Sequence, residues 1–223
     1  MPVAPMFGRR AVLGGLAAGA ALILTGCTGS GTDPVSTTAA NPVRMPAGGG
    51  RILIAYFSRP GENYYYGGRR NLEVGNTEVL AGMLADRTGG QRYRIQPVDP
   101  YPADYDGAVE RNRREQDQDA LPAISGALPD MGEFDTVLLG SPVWNSQATR
   151  IMSTFIQALD FTGKTVLPFV TYAVSGISSI DDFYRRNLPG ATVTDGLAVR
   201  GEEVSEATGA VETWLRTHNL LTP

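Results

Sequence analysis

Residues 52–77 read "ILIAYFSRPGENYYYGGRRNLEVGNT", and this stretch changes its hydrophobic period from one end to the other. Ile52 to Phe57 is an unbroken apolar run, which fits a parallel strand covered on both faces better than an alternating, half-solvated one. From Asn76 to Arg87 the period is helical: Val79, Leu80, Met83 and Leu84 share one face, with Asn76 as the expected N-cap and Gly89-Gly90 as the stop. A buried strand therefore runs into a helix through a long, tyrosine- and arginine-rich connection.

The same alternation continues to the end of the chain. "RYRIQPV" (Arg92–Val98) reads as a second, more polar strand near a sheet edge, and Asp104–Ala120 as a charged helix whose mixed signs suit a solvated outer face. Thr136–Gly140 is a third, central strand. Ala148, Ile151, Met152, Phe155, Ile156 and Leu159 follow helical spacing as core residues. Thr165–Tyr172 is a fourth strand in which Pro168 predicts a bulge or a gap in the ladder. Ser178 and Asp181 suggest a capping box for a helix that ends at Leu188-Pro189-Gly190. Ala191–Val199 is a fifth strand, and Val204, Ala207, Val211, Trp214 and Leu215 line a last helix. Five strands alternating with five helices predict an α/β fold, an open parallel sheet with helices on both faces. Ligands in such sheets sit at the carboxyl ends of the strands, which directs attention to the loops after strands one, three and four.

Ahead of this domain, expected over 51–219, lies a different kind of sequence. Arg9-Arg10 precedes Ala11–Leu24, 14 apolar and small residues without a charge. That is short for a bilayer crossing and suits the hydrophobic region of a signal peptide. Leu24-Thr25-Gly26-Cys27 resembles a bacterial lipobox, so residues 1–26 are expected to be removed and Cys27 to carry a lipid on the extracytoplasmic side of the cell membrane. The arginine pair partly matches a twin-arginine export signal. Residues 27–50, rich in Gly, Ser, Thr, Pro and Ala, read as a flexible tether. Loss of Arg9 and Arg10 takes the net charge from -4 to -6, which disfavours nucleic acid as a partner.

The residue inventory excludes most self-sufficient chemistry. Cys27 is the sole cysteine and His218, at the end of the last helix, the sole histidine, so thiol catalysis, histidine triads and histidine-based zinc sites are ruled out of the domain. Gly140-Ser141-Pro142 lacks the frame of a nucleophile elbow, and Gly163-Lys164-Thr165 precedes a strand where a phosphate-binding loop would follow one. What remains is a place for an anion and a flat ring. Gly75-Asn76-Thr77 offers backbone N–H groups, an amide and a hydroxyl at the positive end of a helix, although Asn76 as a plain cap accounts for it equally well. Ser141-Pro142-Val143-Trp144-Asn145 sets an indole at the sheet's carboxyl edge, and Tyr172-Ala173-Val174-Ser175-Gly176 adds an aromatic, a hydroxyl and a glycine.

These segments in order (Tyr56-Phe57-Ser58, Gly75-Asn76-Thr77, Gly140 to Trp144, then Gly163-Lys164 leading to Phe169-Val170-Thr171 and Ser175-Gly176) resemble the flavodoxin-like family. They are most similar to a bacterial branch whose phosphate loop is split by an insertion. The resemblance implies strand order 2-1-3-4-5 and bound flavin mononucleotide, FMN. It further implies that Ser58, Asn76 and Thr77, next to Gly75, hold the phosphate; Arg59, Arg69 and Arg70 are candidate added charges, in which this chain departs from flavodoxins that use neutral donors. Ser141, Pro142, Val143, Trp144 and Asn145 would face the ring, and Tyr172, Ser175 and Gly176 would close its other side. Tyr64, Tyr65 and Tyr66 either cover the flavin or recognise a substrate, or else pack the connection onto the domain. The implied function is redox, as an electron carrier with a protein partner or a reductase of small quinone-like acceptors. The altered loops after strands three and four leave a second possibility, a lipid-anchored binding module that keeps the fold without flavin.

Overall fold

A computed structural model describes residues 51–221; the leader, Cys27 and the tether lie outside the described residues. In chain order the elements are β1 (Ile52–Tyr56), β2 (Gly61–Tyr65), β3 (Gly68–Leu72), α1 (Asn76–Thr88), β4 (Gln91–Arg94), α2 (Tyr105–Asp117), β5 (Thr136–Trp144), β6 (Gln147–Ala148), α3 (Arg150–Gln157), β7 (Thr165–Tyr172), α4 (Ile180–Asn187), β8 (Thr192–Val193), β9 (Leu197–Arg200) and α5 (Thr208–Thr217). The main sheet runs β4-β1-β5-β7, with β8 and β9 end to end along the outer edge of β7, every one of these pairs parallel. This is the expected order 2-1-3-4-5.

Why the central strands read as continuous apolar runs is plain from the two faces. Leu53, Ala55 and Phe57 join Val137, Leu139, Ile151, Phe155 and Tyr184 in one core cluster. Their neighbours Ile54 and Tyr56 join Leu80, Leu84, Leu138, Phe169, Val211 and Leu215 in another. Helices α1 and α5 cover one face and α3 and α4 the other, so each strand position is buried whichever way it points. Each fully buried Leu or Ile contributes about 1.5–3 kcal/mol relative to exposure.

Pro168 has the consequence its missing N–H predicts. Strand β7 pairs with β8 at Thr165 and Val166 and with β9 from Phe169 to Tyr172, leaving Leu167 and Pro168 unpaired on that side. The expected single fifth strand is accordingly two short ones.

Three local expectations are corrected. The N-cap of α1 is Gly75, and Asn76 is the first helical residue. Ser178 does not form a capping box: it sits at φ 54, its hydroxyl donates to the Ser146 carbonyl at 2.9 Å, and the Asp181 carboxylate accepts from the Gly196 N–H at 3.2 Å. The third strand does not stop at Gly140. It continues as β5 to Trp144 and folds back on β6 through Asn145 (φ 49) and Ser146 (φ 60), a pair of left-handed residues that matches the right-handed twist of a hairpin.

The long connection between β1 and α1 is also ordered. Strands β2 and β3 form an antiparallel hairpin closed by Tyr66 (φ 44) and Gly67 (φ 87). Helix α2 presents mostly solvated charge, as expected, yet Asn112 and Glu115 on it are buried. Glu115 is satisfied by the Tyr101 hydroxyl at 2.6 Å and Arg111 Nε at 2.7 Å.

Candidate functional site

The carboxyl ends of β1, β5 and β7 open onto one cavity. Its wall includes Asn76 and Thr77 from the start of α1, Val143 and Trp144 from the end of β5, and Thr171 and Tyr172 from the end of β7. The hairpin supplies Tyr64, and the turn after β9 supplies Gly201 and Glu202.

The helix end is fixed by close approach. A Cβ on Gly75 would stand 2.4 Å from Ser58 Oγ and 2.5 Å from the Arg59 carbonyl oxygen, so no larger residue fits that seam. With no capping side chain at Gly75, the Ser58 hydroxyl takes over and accepts the Glu78 N–H at 3.1 Å. The N–H groups of Asn76 and Thr77 precede the first intrahelical bond and are free of the ladder by geometry, and the helix dipole adds to their pull on an anion. Thr77 and Thr171, 94 residues apart, share a buried hydroxyl–hydroxyl bond of 2.7 Å that ties α1 to the end of β7. Gly201 lies so near Asn76 that a Cβ there would meet the amide nitrogen at 2.5 Å, which closes the floor of the cavity.

Arg59 is 8% exposed. Its Nη1 donates to the carbonyls of Pro102 at 2.9 Å and Ala103 at 3.0 Å, and its Nη2 donates to that of Glu62. Nε has no partner, no carboxylate pairs with the guanidinium among the described residues, and burial lowers its pKa. An enclosed cation with an unused donor in the wall beside Asn76 and Thr77 fits a phosphate. In the same wall, next to Gly201, Glu202 Oε1 accepts the Tyr66 N–H at 3.1 Å while Oε2 is enclosed and unpartnered. That spare acceptor suits a hydroxyl-bearing ligand chain. FMN carries phosphate, hydroxylated chain and flat ring together, so the residues present fit it.

The aromatic wall is preset by packing. Trp144 meets Phe57 edge-on at 5.7 Å and Tyr101 at 5.3 Å between centroids. The Trp144 carbonyl accepts from Gln116 Nε2 at 3.2 Å. On the far side, Arg200 lies over the Tyr172 ring at 5.8 Å and donates to the Ala173 carbonyl at 3.0 Å, which fixes the loop after β7.

The sequence-derived residues separate into groups. Arg59, Asn76, Thr77, Val143, Trp144 and Tyr172 line the cavity, and Gly75 supports it from behind. Ser58 does not line it with Asn76 and Thr77; its hydroxyl is used as a helix cap. Ser141 is fully buried within β5 with an unpartnered hydroxyl, and Pro142 stands in the ladder opposite Thr171. Asn145 turns the β5–β6 hairpin and bonds Gln116 at 2.8 Å. Ser175 and Gly176 lie beyond the wall, and Arg69 pairs with Asp106 instead of reaching the helix end. Thr171, Gly201, Glu202 and Tyr105 were not anticipated. The sequence singles out the loops after strands one, three and four; only extending the carboxyl-edge rule to the fifth strand reaches the turn where Gly201-Glu202 lies.

Among the described residues no cluster of His, Cys, Asp and Glu could hold a metal ion, and no helix is long and apolar enough to cross a membrane. A family model described as flavodoxin matches residues 69–218. Two proposed flavoproteins of known structure are similar to the chain. That of Bacteroides eggerthii is 28% identical, covering 75% of this chain and 96% of its own, with a TM-score of 0.60. That of Bacteroides uniformis is 31% identical, covering 76% and 99%, with a TM-score of 0.61. A Lactobacillus acidophilus flavoprotein solved in complex with FMN shares the fold at 17% identity over 70% of this chain and 97% of its own, with a TM-score of 0.53. No curated protein matches.

Proposed function

This chain belongs to the flavodoxin family, and on that premise we propose that it binds FMN and serves as a redox protein. The observation that carries the reading is the single cavity in which the unladdered start of α1 and the enclosed Arg59 face the aromatic ends of β5 and β7. Asn76, Thr77 and Arg59 hold the phosphate, Glu202 receives a chain hydroxyl, and Trp144 and Tyr172 flank the ring. The flavin supplies the electron chemistry when bound. The chain's own residues bind it, orient it and exclude water, the last through the β2–β3 hairpin latched at Glu202.

Both redox roles remain within this reading: a carrier exposes the ring edge to a protein, and a reductase admits a small acceptor beside it. The leader sequence supports export, lipidation at Cys27 and work at the outer face of the cytoplasmic membrane. Native purification followed by visible absorption tests the core of the proposal. A yellow protein with flavin bands, or a colourless one that takes up FMN at one per chain in calorimetry, is the expected outcome. A colourless chain that gives no heat with FMN overturns it and leaves the flavin-free binding module. Steady-state assay with NADH and NADPH then separates the roles, since a simple reductase must turn over with one of them.

A further inference from the structure

A cavity of about 300 Å³ lies between the β5–β6 hairpin, α3 and α4, and shares no residue with the proposed flavin site. Gln147 and Ala148 of β6 form one wall and Arg150 and Ser153 of α3 a second. The third is Phe183 and Arg186 of α4, with Ser179 just before that helix. The Ser178 hydroxyl, donating to the Ser146 carbonyl at 2.9 Å, fastens the approach to α4 onto the hairpin and holds the walls together.

Ser153 stands out. It is 4% exposed, it lines the cavity, and its hydroxyl makes no hydrogen bond among the described residues. A hydroxyl on a helix can turn back to the carbonyl four residues earlier, as those of Thr88, Thr213 and Thr217 do here at 2.7, 2.9 and 3.0 Å. Ser153 does not, and a buried hydroxyl left unused loses the solvation it had in the unfolded chain. The start of α3 is unsatisfied as well. Its N-cap, Thr149, makes no capping bond and its hydroxyl is enclosed without a partner. The N–H groups of Arg150 and Ile151 precede the first bond of the helix, from the Met152 N–H to the Thr149 carbonyl at 2.9 Å.

The charge around this space has one sign. In a chain of net charge -4, the charged residues of the lining are Arg150 and Arg186, with no Asp or Glu among them. Arg150 Nε donates to the Ala120 carbonyl at 2.9 Å and Nη1 stands 3.5 Å from the exposed carboxylate of Asp119, while Nη2 makes no hydrogen bond among the described residues. Arg186 is exposed and forms no ion pair among the described residues; nearby Asp182 accepts from Arg185 at 3.1 Å. Donors on three elements, together with the positive end of α3, suit a ligand whose oxygens point in several directions. The half-buried Phe183 ring and Ala148 leave apolar room beside them. A tetrahedral phosphate on a small organic group has both features.

We propose that the cavity between the β5–β6 hairpin, α3 and α4 binds a small, freely diffusing phosphate monoester, its phosphate held at the start of α3 by Ser153 and Arg186. The site is separate from the proposed flavin site, and the inference does not rest on that reading.

The full chain loaded with FMN is titrated calorimetrically with phenyl phosphate, alongside Ser153→Ala and Arg186→Gln. One probe per chain is expected. Its affinity should be about tenfold weaker in Ser153→Ala, which loses a buried hydrogen bond to a charged group, and about threefold weaker in Arg186→Gln, which loses an exposed charge. Without the probe, Ser153→Ala should keep or raise the urea midpoint, since it removes an unpaired buried hydroxyl and alanine is the better helix former. A lowered midpoint would show that the hydroxyl serves the fold and would overturn its role in binding. Inorganic phosphate, which has nothing to set against Phe183, should bind more weakly than phenyl phosphate; equal affinity overturns the ester. FMN affinity should stay within about twofold in both variants, because neither residue lines the flavin cavity. Absence of probe binding overturns the site, and so does binding that both substitutions leave unchanged, which would put the anion elsewhere on the chain. Probe binding with the expected losses in a chain that takes up no FMN would break the flavin reading and leave this site standing.

Discussion

Two parts of the same connection between β1 and α1 are built on opposite principles. At the seam, Ser58, Arg59 and Thr77 are buried, Gly75 has no room for a side chain, and the bonds run between groups sealed from water. In the hairpin, Gly68 to Arg70 are exposed, and apart from the Glu62 N–H that donates to the Ala103 carbonyl at 2.8 Å the fastenings are charges near the surface: Arg69 to Asp106 at 2.6 Å, Arg69 to Glu62 at 3.4 Å, and the Tyr66 N–H to Glu202. Packing sets where an anion would sit, and surface charge sets how firmly the roof closes over it. The first arrangement cannot move without loss; the second can open at little cost.

The seam should show the larger effects. Gly75→Ala forces a methyl into Ser58 and backbone, and it should destabilise the fold by ~1–3 kcal/mol or more, read as a lower urea midpoint. An unchanged midpoint would mean that the seam yields as readily as the hairpin, and the contrast would fail. Next in size, Thr171→Val strands the Thr77 hydroxyl in the interior and should cost ~1–3 kcal/mol. Adding Thr77→Val should recover part of that, because neither group is then left unpaired; strict additivity in the double-mutant cycle would show that the two hydroxyls are not coupled.

Smallest in stability is the hairpin latch. Arg69→Gln should leave the urea midpoint where it is, since an exposed ion pair adds little, but it should speed amide exchange at Tyr66 and through β2 and β3. The Arg69 hydrogen bond holds the Asp106 carboxyl below its usual range. Its folded-state value being depressed, the pairing is intact above the ordinary carboxylate range and is lost as pH falls through the lowered value. Hairpin protection should therefore decline in acid, and Asp106→Asn should remove that part of the pH dependence.

Strand and helix order was legible because burial on two faces writes itself into local patterns, as in Ile52–Phe57 and along Ile151–Ile156. Pro168 was legible for a related reason: a missing N–H is a property of one residue. Turn chemistry was less so. Asn145-Ser146 and Tyr66-Gly67 both close hairpins at positive φ, yet neither is the Asn-Gly or Asp-Gly pair that marks such turns most clearly. At the site, Asn76, Thr77, Trp144 and Tyr172 could be placed by the carboxyl-edge rule, whereas Ser58, Ser141 and Arg59 could not be assigned their partners. A serine reads the same whether its hydroxyl caps a helix, faces a ligand or lies idle in a core.

By itself the sequence determined the alternation of strands and helices, the exclusion of thiol and histidine chemistry, and the expectation of an exported, lipid-bearing amino terminus. Only the tertiary structure decided that Thr77 meets Thr171, that Tyr66 reaches Glu202 across 136 positions, and that Arg59 spends two of its nitrogens on backbone carbonyls. The physical reason is range. Hydrophobic period is set residue by residue along one element, while a hydrogen bond forms only where distant backbones bring donor and acceptor within about 3 Å of each other.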